Sequence, residues 1–323
     1  MKTLKEFNFQ NKRVLVRCDF NIPQDSEGNI LDDFRIKQTL PTIEYLIKER
    51  AEVILMSHLG NPGGKFVKGL QMTPIAERLA ELLGRKLALL DNLRFNPGEE
   101  SNDDNFAKDL AKNGDIYVNE AFSVCHRKHA SVVAITRYLP SCAGFLLEKE
   151  TSVLSGLMEK PKRPLVAIIG GAKVEKKVKF INKFSEIADF VLIGGLIQKE
   201  AKEKNIQFSC PEKIIEPVDE AGEGRDIGSK TIELFVKNIL TAKTILWNGP
   251  LGEIEKEEFT KGTKAIAQAI VDSGAFSVVG GGETIFLFKK IGIIGKFSHV
   301  STGGGAMLAF LAGEKLPGIE ALN

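Results

Sequence analysis

The feature that most restricts this chain is a unit that recurs along it. A short run of residues, apolar throughout, stops at a small or polar residue, and a stretch of helical period follows. "RVLVR" (13–17), "EVILMSH" (52–58) and "DIYVNEA" (115–121) are such runs in the first half. "LVAIIGG" (165–171), "DFVLIGG" (189–195), "KTILWNG" (243–249) and "FSVVGGG" (276–282) are those of the second. Strands that do not alternate apolar with polar belong to a sheet covered on both faces, which is the parallel arrangement. Helices are predicted over 37–50, 73–84 and 103–113, then 175–187, 229–241, 257–272 and 284–291. Thr73-Pro74 reads as an N-cap followed by proline in the first turn. Repeated βα units predict an α/β fold, two doubly wound, parallel-sheet (Rossmann-like) domains.

The break between them falls near "MEKPKRP" (158–164), where two prolines end a helix predicted from about Leu147. The expected domains are 1–146 and 147–312, the second including an interdomain helix at 147–159. Apolar residues make up 43% and charged residues 27% of the 323, a globular balance. A formal charge of +2 offers no global attraction to nucleic acid. No run approaches the ~18 apolar residues of a membrane span. The first residues lack the apolar core of a secretory signal. Cys18, Cys125, Cys142 and Cys210 show no C-x-x-C or zinc spacing, so they read as free thiols in a reducing compartment. The expectation is a cytoplasmic monomer with no nucleic-acid or membrane partner.

In an open α/β sheet, ligands sit beyond the carboxyl ends of the strands. That rule gathers Gly170, Gly171, Gly194, Gly195, Gly249, Gly280, Gly281 and Gly282 around one mouth. Glycine lets a backbone N–H approach a phosphate oxygen, and a helix starting there adds its positive end. Neither G-x-x-x-x-G-K-[ST] nor a strand-linked G-x-G-x-x-G occurs, so any phosphate cradle is split over several strand ends. Lys173 and Lys177 are four apart and would share one helical face, where an anion between them relieves their repulsion. Lys176 points elsewhere and reads as solvated. Glu283, after three glycines, suits a magnesium ion shared with phosphates. It fits equally well as an acid complementing a helix dipole. Glu255 is placed to accept from ribose hydroxyls.

The first half concentrates a different chemistry. Its strand-end loops carry Arg17, Asp19, Asn21, His58, Arg94, His126, Arg127 and His129, with Arg35 in "DDFRI". A single arginine or histidine is usually structural or solvated. This many on the loops of one domain point to a small, strongly anionic substrate, because arginine grips phosphate and carboxylate with two bonds. Asp19 and Asn21 supply acceptors for a hydroxyl or orient an arginine. No G-x-S-x-G is present, and no third ligand accompanies His126 and His129 at metal spacing.

With these motifs in order along nearly the whole length, the chain resembles the phosphoglycerate kinase family. The resemblance rests on "VRCDFNIP", "DDFRIKQTLPTI", "LMSHLGNP", "NLRF", "YVNEAFSVCHRKHAS", "VAIIGGAKVEKK", "TILWNGPLGEIE", "VVGGGET" and "STGGGAMLAFLAGEKLPGIEAL". It implies reversible, magnesium-dependent phosphoryl transfer between 1,3-bisphosphoglycerate and ADP, giving 3-phosphoglycerate and ATP by hinge closure. It implies a glycerate site at Arg17, Asp19, Phe20, Asn21, Arg35, His58, Leu59, Gly60, Asn61, Arg94, His126, Arg127 and His129. It implies a nucleotide site at Gly170, Gly171, Lys173, Lys177, Gly194, Gly195, Asn248, Gly249, Pro250, Glu255, Gly281, Gly282, Glu283 and Thr284. Arg35, Lys173 and Lys177 would be catalytic, Glu283 would meet Mg2+, and the tail 313–323 would return to the first domain.

The chain departs from the family at several places. "HLGNP" puts Asn61 where the family has arginine, and "GGGET" puts Glu283 where it has aspartate. Two segments of about one βα unit each, ~30 residues, are absent, one after "LGRKLALL" and one between "IGGLIQKEAKEKN" and "IEPVDEAGEGRDIG". Two other readings stay open: a kinase for a different carboxylate acceptor, and a non-catalytic nucleotide-binding paralogue.

Overall fold

The computed structural model describes all 323 residues. They divide into two compact units, Met1–Ser152 with Lys315–Asn323, and Val153–Glu314.

The first unit is built on a five-stranded parallel sheet. Its strands are β1 (Arg13–Arg17), β2 (Glu52–Met56), β3 (Ala88–Leu89), β4 (Ile116–Asn119) and β5 (Ser141–Ala143). The spatial order is β3-β2-β1-β4-β5. The apolar runs account for β1, β2 and β4, which are buried almost throughout. β3 and β5 are too short to show as runs. Helix α1 (Phe34–Lys48) buries Ile36, Thr39, Ile43 and Leu46, spaced to form one stripe against the sheet. Helix α2 (Thr73–Leu83) ends on Gly84 at φ +64°. Thr73 is not its cap: Ala76 N–H already donates to the Met72 carbonyl at 2.9 Å, so the first turn opens one residue earlier. Short helices α3 (Pro97–Glu100) and α4 (Asp104–Ala111) precede β4. The C-terminal residues belong to this unit, where Gly318 N–H donates to the Cys125 carbonyl at 2.9 Å.

Helix α5 (Phe145–Glu159) runs across the division between the units. Two side chains receive its first N–H groups. Thr42 Oγ1 accepts from Phe145 at 2.9 Å, and Glu120 Oε1 accepts from Leu146 at 3.0 Å and from the Thr42 hydroxyl at 2.6 Å. Glu120 is fully buried and its other oxygen has no partner. Burial therefore pushes its carboxyl up to about 8.

The second unit carries a six-stranded parallel sheet and a small hairpin. The sheet strands are β6 (Leu165–Ile169), β7 (Phe190–Ile193), β8 (Ile214–Ile215), β11 (Thr244–Asn248), β12 (Phe276–Gly280) and β13 (His299–Val300). Between β8 and β11 lies the antiparallel hairpin of β9 (Glu220–Ala221) and β10 (Asp226–Ile227). The sheet order is β13-β12-β11-β6-β7-β8. β6 and β11 lie in the middle and are buried at every position, as their unbroken apolar sequence requires. Helices α6 (Val178–Ile187), α7 (Gly195–Glu203), α8 (Ser229–Thr241), α9 (Lys261–Ser273), α10 (Gly282–Lys290) and α11 (Gly304–Leu311) complete the unit. Trp247 is fully buried, packs edge-on against Phe288, and donates from Nε1 to the Gly249 carbonyl at 2.7 Å. No helix is long and apolar enough to cross a membrane.

Glu120 generates a stability prediction with a definite sign. Its folded-state pKa lies above the ordinary carboxyl value, so the folded protein holds a proton that the unfolded chain releases between about pH 4.5 and 8. Stability is lost as pH rises through that window. Glu120→Gln keeps the acceptor for Thr42 and Leu146 without the buried charge. By urea unfolding it should match the parent below about pH 4 and exceed it at pH 8 by at least about 1 kcal/mol. Equal pH slopes for the two proteins would show that Glu120 ionises without penalty.

Candidate functional site

In the second unit the glycine-terminated strands β12, β11, β6 and β7 are neighbours and parallel, so their carboxyl ends share one edge. The glycines there divide into two kinds. Gly170, Gly171, Gly194 and Gly249 serve the backbone itself. Gly170 N–H donates to Asn248 O at 2.9 Å, Gly171 N–H to Pro250 O at 2.6 Å, and Gly194 N–H to Ile169 O at 2.8 Å. A Cβ on Gly170 would run into the Pro250 carbonyl, and one on Gly249 into Gly170. The amides of Gly170, Gly171 and Gly194 are engaged within the protein and do not face a ligand.

The free donors lie at helix starts. Gly281, at φ +101°, precedes α10, whose first N–H groups on Gly282, Glu283 and Thr284 have no partner within the helix. Gly304 and Gly305 open α11 in the same way. Both helix starts line a cavity of about 620 Å³ together with Gly171, Lys173, Lys177, Leu196, Asn248, Gly249, Pro250, Glu253, Glu255 and Leu308. Gly170, Gly194, Gly195 and Gly280, expected at this mouth, do not line it. Asn248 Nδ2 and Thr284 Oγ1 are buried with no hydrogen-bond partner. Buried polar atoms are almost always paired, and these two are exceptions at the edge of the cavity.

The lysines reach the cavity by a different route from the one the spacing predicts. Lys173 and Lys177 do not share a helical face. Lys173 stands in the left-handed region at φ +66°, a 3-10 turn spans Val174–Lys176, and Lys177 caps α6. A left-handed residue interrupts the helix that the i, i+4 argument assumes. Both side chains still line the cavity. Lys177 Nζ donates to the Gly170 carbonyl. Burial lowers its pKa to about 8, opposed by the charges of Glu283 and Glu200.

In the first unit the strand-end loops form a network around buried charges. Arg17 is fully buried, and its guanidinium is engaged on every side. Nε donates to Ser131 Oγ at 2.8 Å, Nη1 to the Cys18 carbonyl, and Nη2 lies 3.2 Å from His58 Nδ1. Those contacts take up three of its five N–H groups, and the side chain has no exposed surface. Glu99, 3.8 Å away and equally buried, balances its charge. Burial would raise the Glu99 carboxyl, but His129, Arg17 and Ser131 hold it down at about 2. Burial lowers His58 to about 3, so the ring is neutral at pH 7. With Nδ1 facing an arginine donor, its proton sits on Nε2.

Asp19 organises the second half of this network. It accepts from Ser123 Oγ, from Asn21 N–H at 3.0 Å, and pairs with Arg35 Nη1 at 2.9 Å. Burial would raise its carboxyl, yet Arg35 and these bonds bring it to about 2. Arg35 also donates to Asn21 O at 2.8 Å and remains about one-third exposed. Gly60 is gripped from both ends: Asn21 Oδ1 accepts from its N–H and Arg94 Nη1 donates to its carbonyl, each at 2.8 Å. Arg94 is buried, and its Nη2 has no partner. Asn61 and Arg127 are exposed beside these groups, and His126 is half-buried. Phe20 and Leu59 are core side chains, and their N–H groups go to Ser57 Oγ and Asn92 Oδ1, so neither offers a contact.

Sequence reasoning missed Gly304, Gly305, Leu196 and Leu308 in the cavity, and Glu99, Ser123 and Ser131 beneath the basic loops. The triple glycine of "STGGGAM" before a helical stretch was a usable signal for the first pair. The buried acid and hydroxyls carry none, because nothing in "NPGEE" or "HAS" distinguishes them from loop residues.

Comparison with known proteins bears on the whole length. The family model described as phosphoglycerate kinase matches residues 4–89, 84–206 and 199–314. The chain is 40% identical over 391 aligned positions to the phosphoglycerate kinase of Gloeothece citriformis, covering 99% of this chain and 98% of that one. It is 40% identical to that of Chlorobium phaeobacteroides, covering 100% and 99%. Among solved structures, phosphoglycerate kinase from Pyrococcus horikoshii superposes with a TM-score of 0.87 at 34% identity, covering 100% of this chain and 98% of that one. The Coxiella burnetii enzyme gives 0.84 at 34%, covering 99% and 98%. The alignments exceed the 323 residues of this chain, and the family match breaks at 84–89 and 199–206, where the sequence places its two missing segments. The chain belongs to the phosphoglycerate kinase family, phosphotransferases with a carboxyl group as acceptor.

Proposed function

We propose that the chain catalyses reversible transfer of a phosphoryl group between 1,3-bisphosphoglycerate and ADP, giving 3-phosphoglycerate and ATP. The observation that carries this reading is the pairing of two anion sites of unlike kind. One offers arginines held by buried carboxylates, suited to a small phosphorylated acid. The other offers helix starts, two lysines and the orphaned Asn248 Nδ2 and Thr284 Oγ1, suited to the phosphates of a nucleotide.

In this reading Arg35, Arg94, His58, Asn21, Asn61, Arg127, His126 and His129 serve the glycerate substrate. Asp19 orients Arg35, and Arg17 orients His58. Lys173, Lys177, Asn248, Gly281, Gly282 and Thr284 bind nucleotide phosphates, and Glu255 receives the ribose hydroxyls. No group of three or more metal-binding side chains comes together in the structure. Glu283 alone fits a magnesium ion that takes its remaining oxygens from phosphate and water, and bound there it would neutralise the charge developing on the phosphates. The transfer needs no covalent intermediate. Arg35 and Lys177 grip the moving phosphoryl group from opposite sides, so catalysis is positioning and charge stabilisation. Substrates held on separate domains must meet, and hinge closure brings them together and expels water. The reaction belongs to glycolysis, and the compartment we assign is the cytoplasm.

The direct test is a coupled assay of ADP-dependent turnover with 1,3-bisphosphoglycerate. Turnover should be present in the parent. Arg35→Ala or Lys177→Ala should lower kcat by about 10²–10³ in a folded protein, as for loss of one preorganised charge. A parent without turnover would support the non-catalytic reading. Parent-like rates in either variant would remove that residue from the transfer step.

A pH dependence follows from the burial of Lys177. The ammonium must be charged to bind phosphate, and its lowered pKa of about 8 means that the charge is lost as pH rises through that value. The kcat/KM for ADP should fall on the alkaline side with a limb near 8. Lys177→Arg, which stays charged, should flatten that limb; persistence of the limb in the arginine variant would assign it to another group.

Glu283 has one methylene more than the family's aspartate at this position. Turnover against titrated magnesium and manganese should show Glu283→Asp shifting preference toward magnesium, and Glu283→Ala losing metal-nucleotide affinity. If Glu283→Ala equals the parent with both metals, the carboxylate only complements the start of α10.

A further inference from the structure

The turn that carries the lysines is held in an unusual way. Lys173 is not glycine, yet it stands in the left-handed region at φ +66°. Such a conformation costs about 1–2 kcal/mol for a residue with a Cβ and persists only where its surroundings enforce it. The enforcing group is on α7. Glu200 Oε1 accepts from Lys173 N–H at 3.1 Å, and Glu200 Oε2 accepts from Val174 N–H at 2.7 Å. These are the donors with which the 3-10 turn Val174–Lys176 opens, so a carboxylate from another element supplies the cap that the turn's own sequence lacks. Charge on the acceptor makes such bonds about twice as strong as neutral ones. A second tie joins the same elements: Lys204, at the end of α7, pairs with Glu175 at 2.8 Å.

We propose that Glu200 is a positioning residue for the nucleotide: by holding the left-handed turn at Lys173, it sets Lys173 and Lys177 in the arrangement that receives phosphate. The inference rests on the reading of the cavity as a nucleotide site. Both carboxylate oxygens lie on backbone N–H groups, so Glu200 shapes the turn without taking the place of a phosphate on the ammonium groups. Its charge also favours the protonated form of Lys177, partly offsetting the burial that lowers it. Helix α7 thereby serves one cavity at two points. Leu196, at its start, lines the cavity, and Glu200, further along it, fastens the phosphate-binding turn. The second half of the helix coincides with the break in the family match at 199–206, so the staple sits where the chain has been shortened.

The test uses the full chain and its Glu200→Ala and Glu200→Gln variants. Calorimetric titration gives the Kd of Mg-ADP, and steady-state kinetics give the KM for ADP and for 1,3-bisphosphoglycerate. Glu200→Ala should raise the Kd and KM for ADP about tenfold, in keeping with loss of two charge-assisted bonds. The KM for 1,3-bisphosphoglycerate should stay at the parent value. Glu200→Gln keeps one acceptor oxygen and should fall between the parent and the alanine variant. An alanine variant whose ADP affinity is within twofold of the parent overturns the inference, as does an equal rise in both substrates' KM. A parent that does not bind Mg-ADP overturns instead the nucleotide reading of the cavity.

Discussion

The cavity of the second unit depends on how closely two neighbouring strand ends approach each other. The chain leaves β6 at Gly170 and β11 at Gly249, and the two turns bond backbone to backbone, Gly170 to Asn248 and Gly171 to Pro250. No side chain fits between them, since a Cβ on either Gly170 or Gly249 meets main-chain atoms of the other turn. The contact aligns the loops on either side: the Lys173 turn after β6, and the loop bearing Glu253 and Glu255 after β11. The cavity is open because its central seam is closed. The backbone donors facing the cavity are then those at the starts of α10 and α11, where orphan N–H groups exist in any helix.

The strand-end loops of the first unit are organised by the opposite means. Their donors are side chains, and a flexible arginine must be held to be useful. The structure does this with charges buried below the surface. Arg17 and Glu99 form a fully buried pair, and a pair so buried stabilises little by itself because both partners lose their water. What it supplies is orientation. Arg17 fixes the tautomer of His58, and Glu99 ties Ser131 and lies 3.7 Å from His129. Asp19 has the same role nearer the surface, pairing with the half-buried Arg35 while Ser123 and Asn21 hold it. Removing the acid would free the arginine to choose its own rotamer.

This difference explains what could be read from the sequence. The central strands were legible because full burial demands apolar runs, and β1, β2, β4, β6, β7, β11 and β12 all have them. The edge strands β3, β8 and β13 were not, because two residues make no pattern. Among site residues, glycines and lysines announced themselves through composition at strand ends, but their separate tasks did not. Nothing in "LVAIIGGAKVEKK" tells that Gly170 packs against a turn about eighty residues away, or that Lys173 is left-handed. Both depend on partners distant in sequence, Pro250 and Glu200. The contacts of Arg17 with Ser131 and Glu99 were hidden for the same reason: they are tertiary.

The two breaks in the family match show why such a chain can shorten without losing its site. One falls at 84–89 and meets β3, and the other falls at 199–206, from the second half of α7 toward β8. β3 and β8 are each the outermost strand on one side of its sheet. A βα unit removed at an edge exposes one new row of backbone groups, which a two-residue strand keeps short. Removed from the centre, it would separate β6 from β11 and destroy the seam between Gly170 and Gly249. Most of the groups described above stand on loops after the inner strands, but Arg94 follows β3, and Leu196 and Glu200 lie on α7 beside the second break. The element left at the second break is α7, whose first turn borders the cavity and whose Glu200 grips the lysine turn. Glu200 thus ties the second half of that helix to the backbone of the lysine turn.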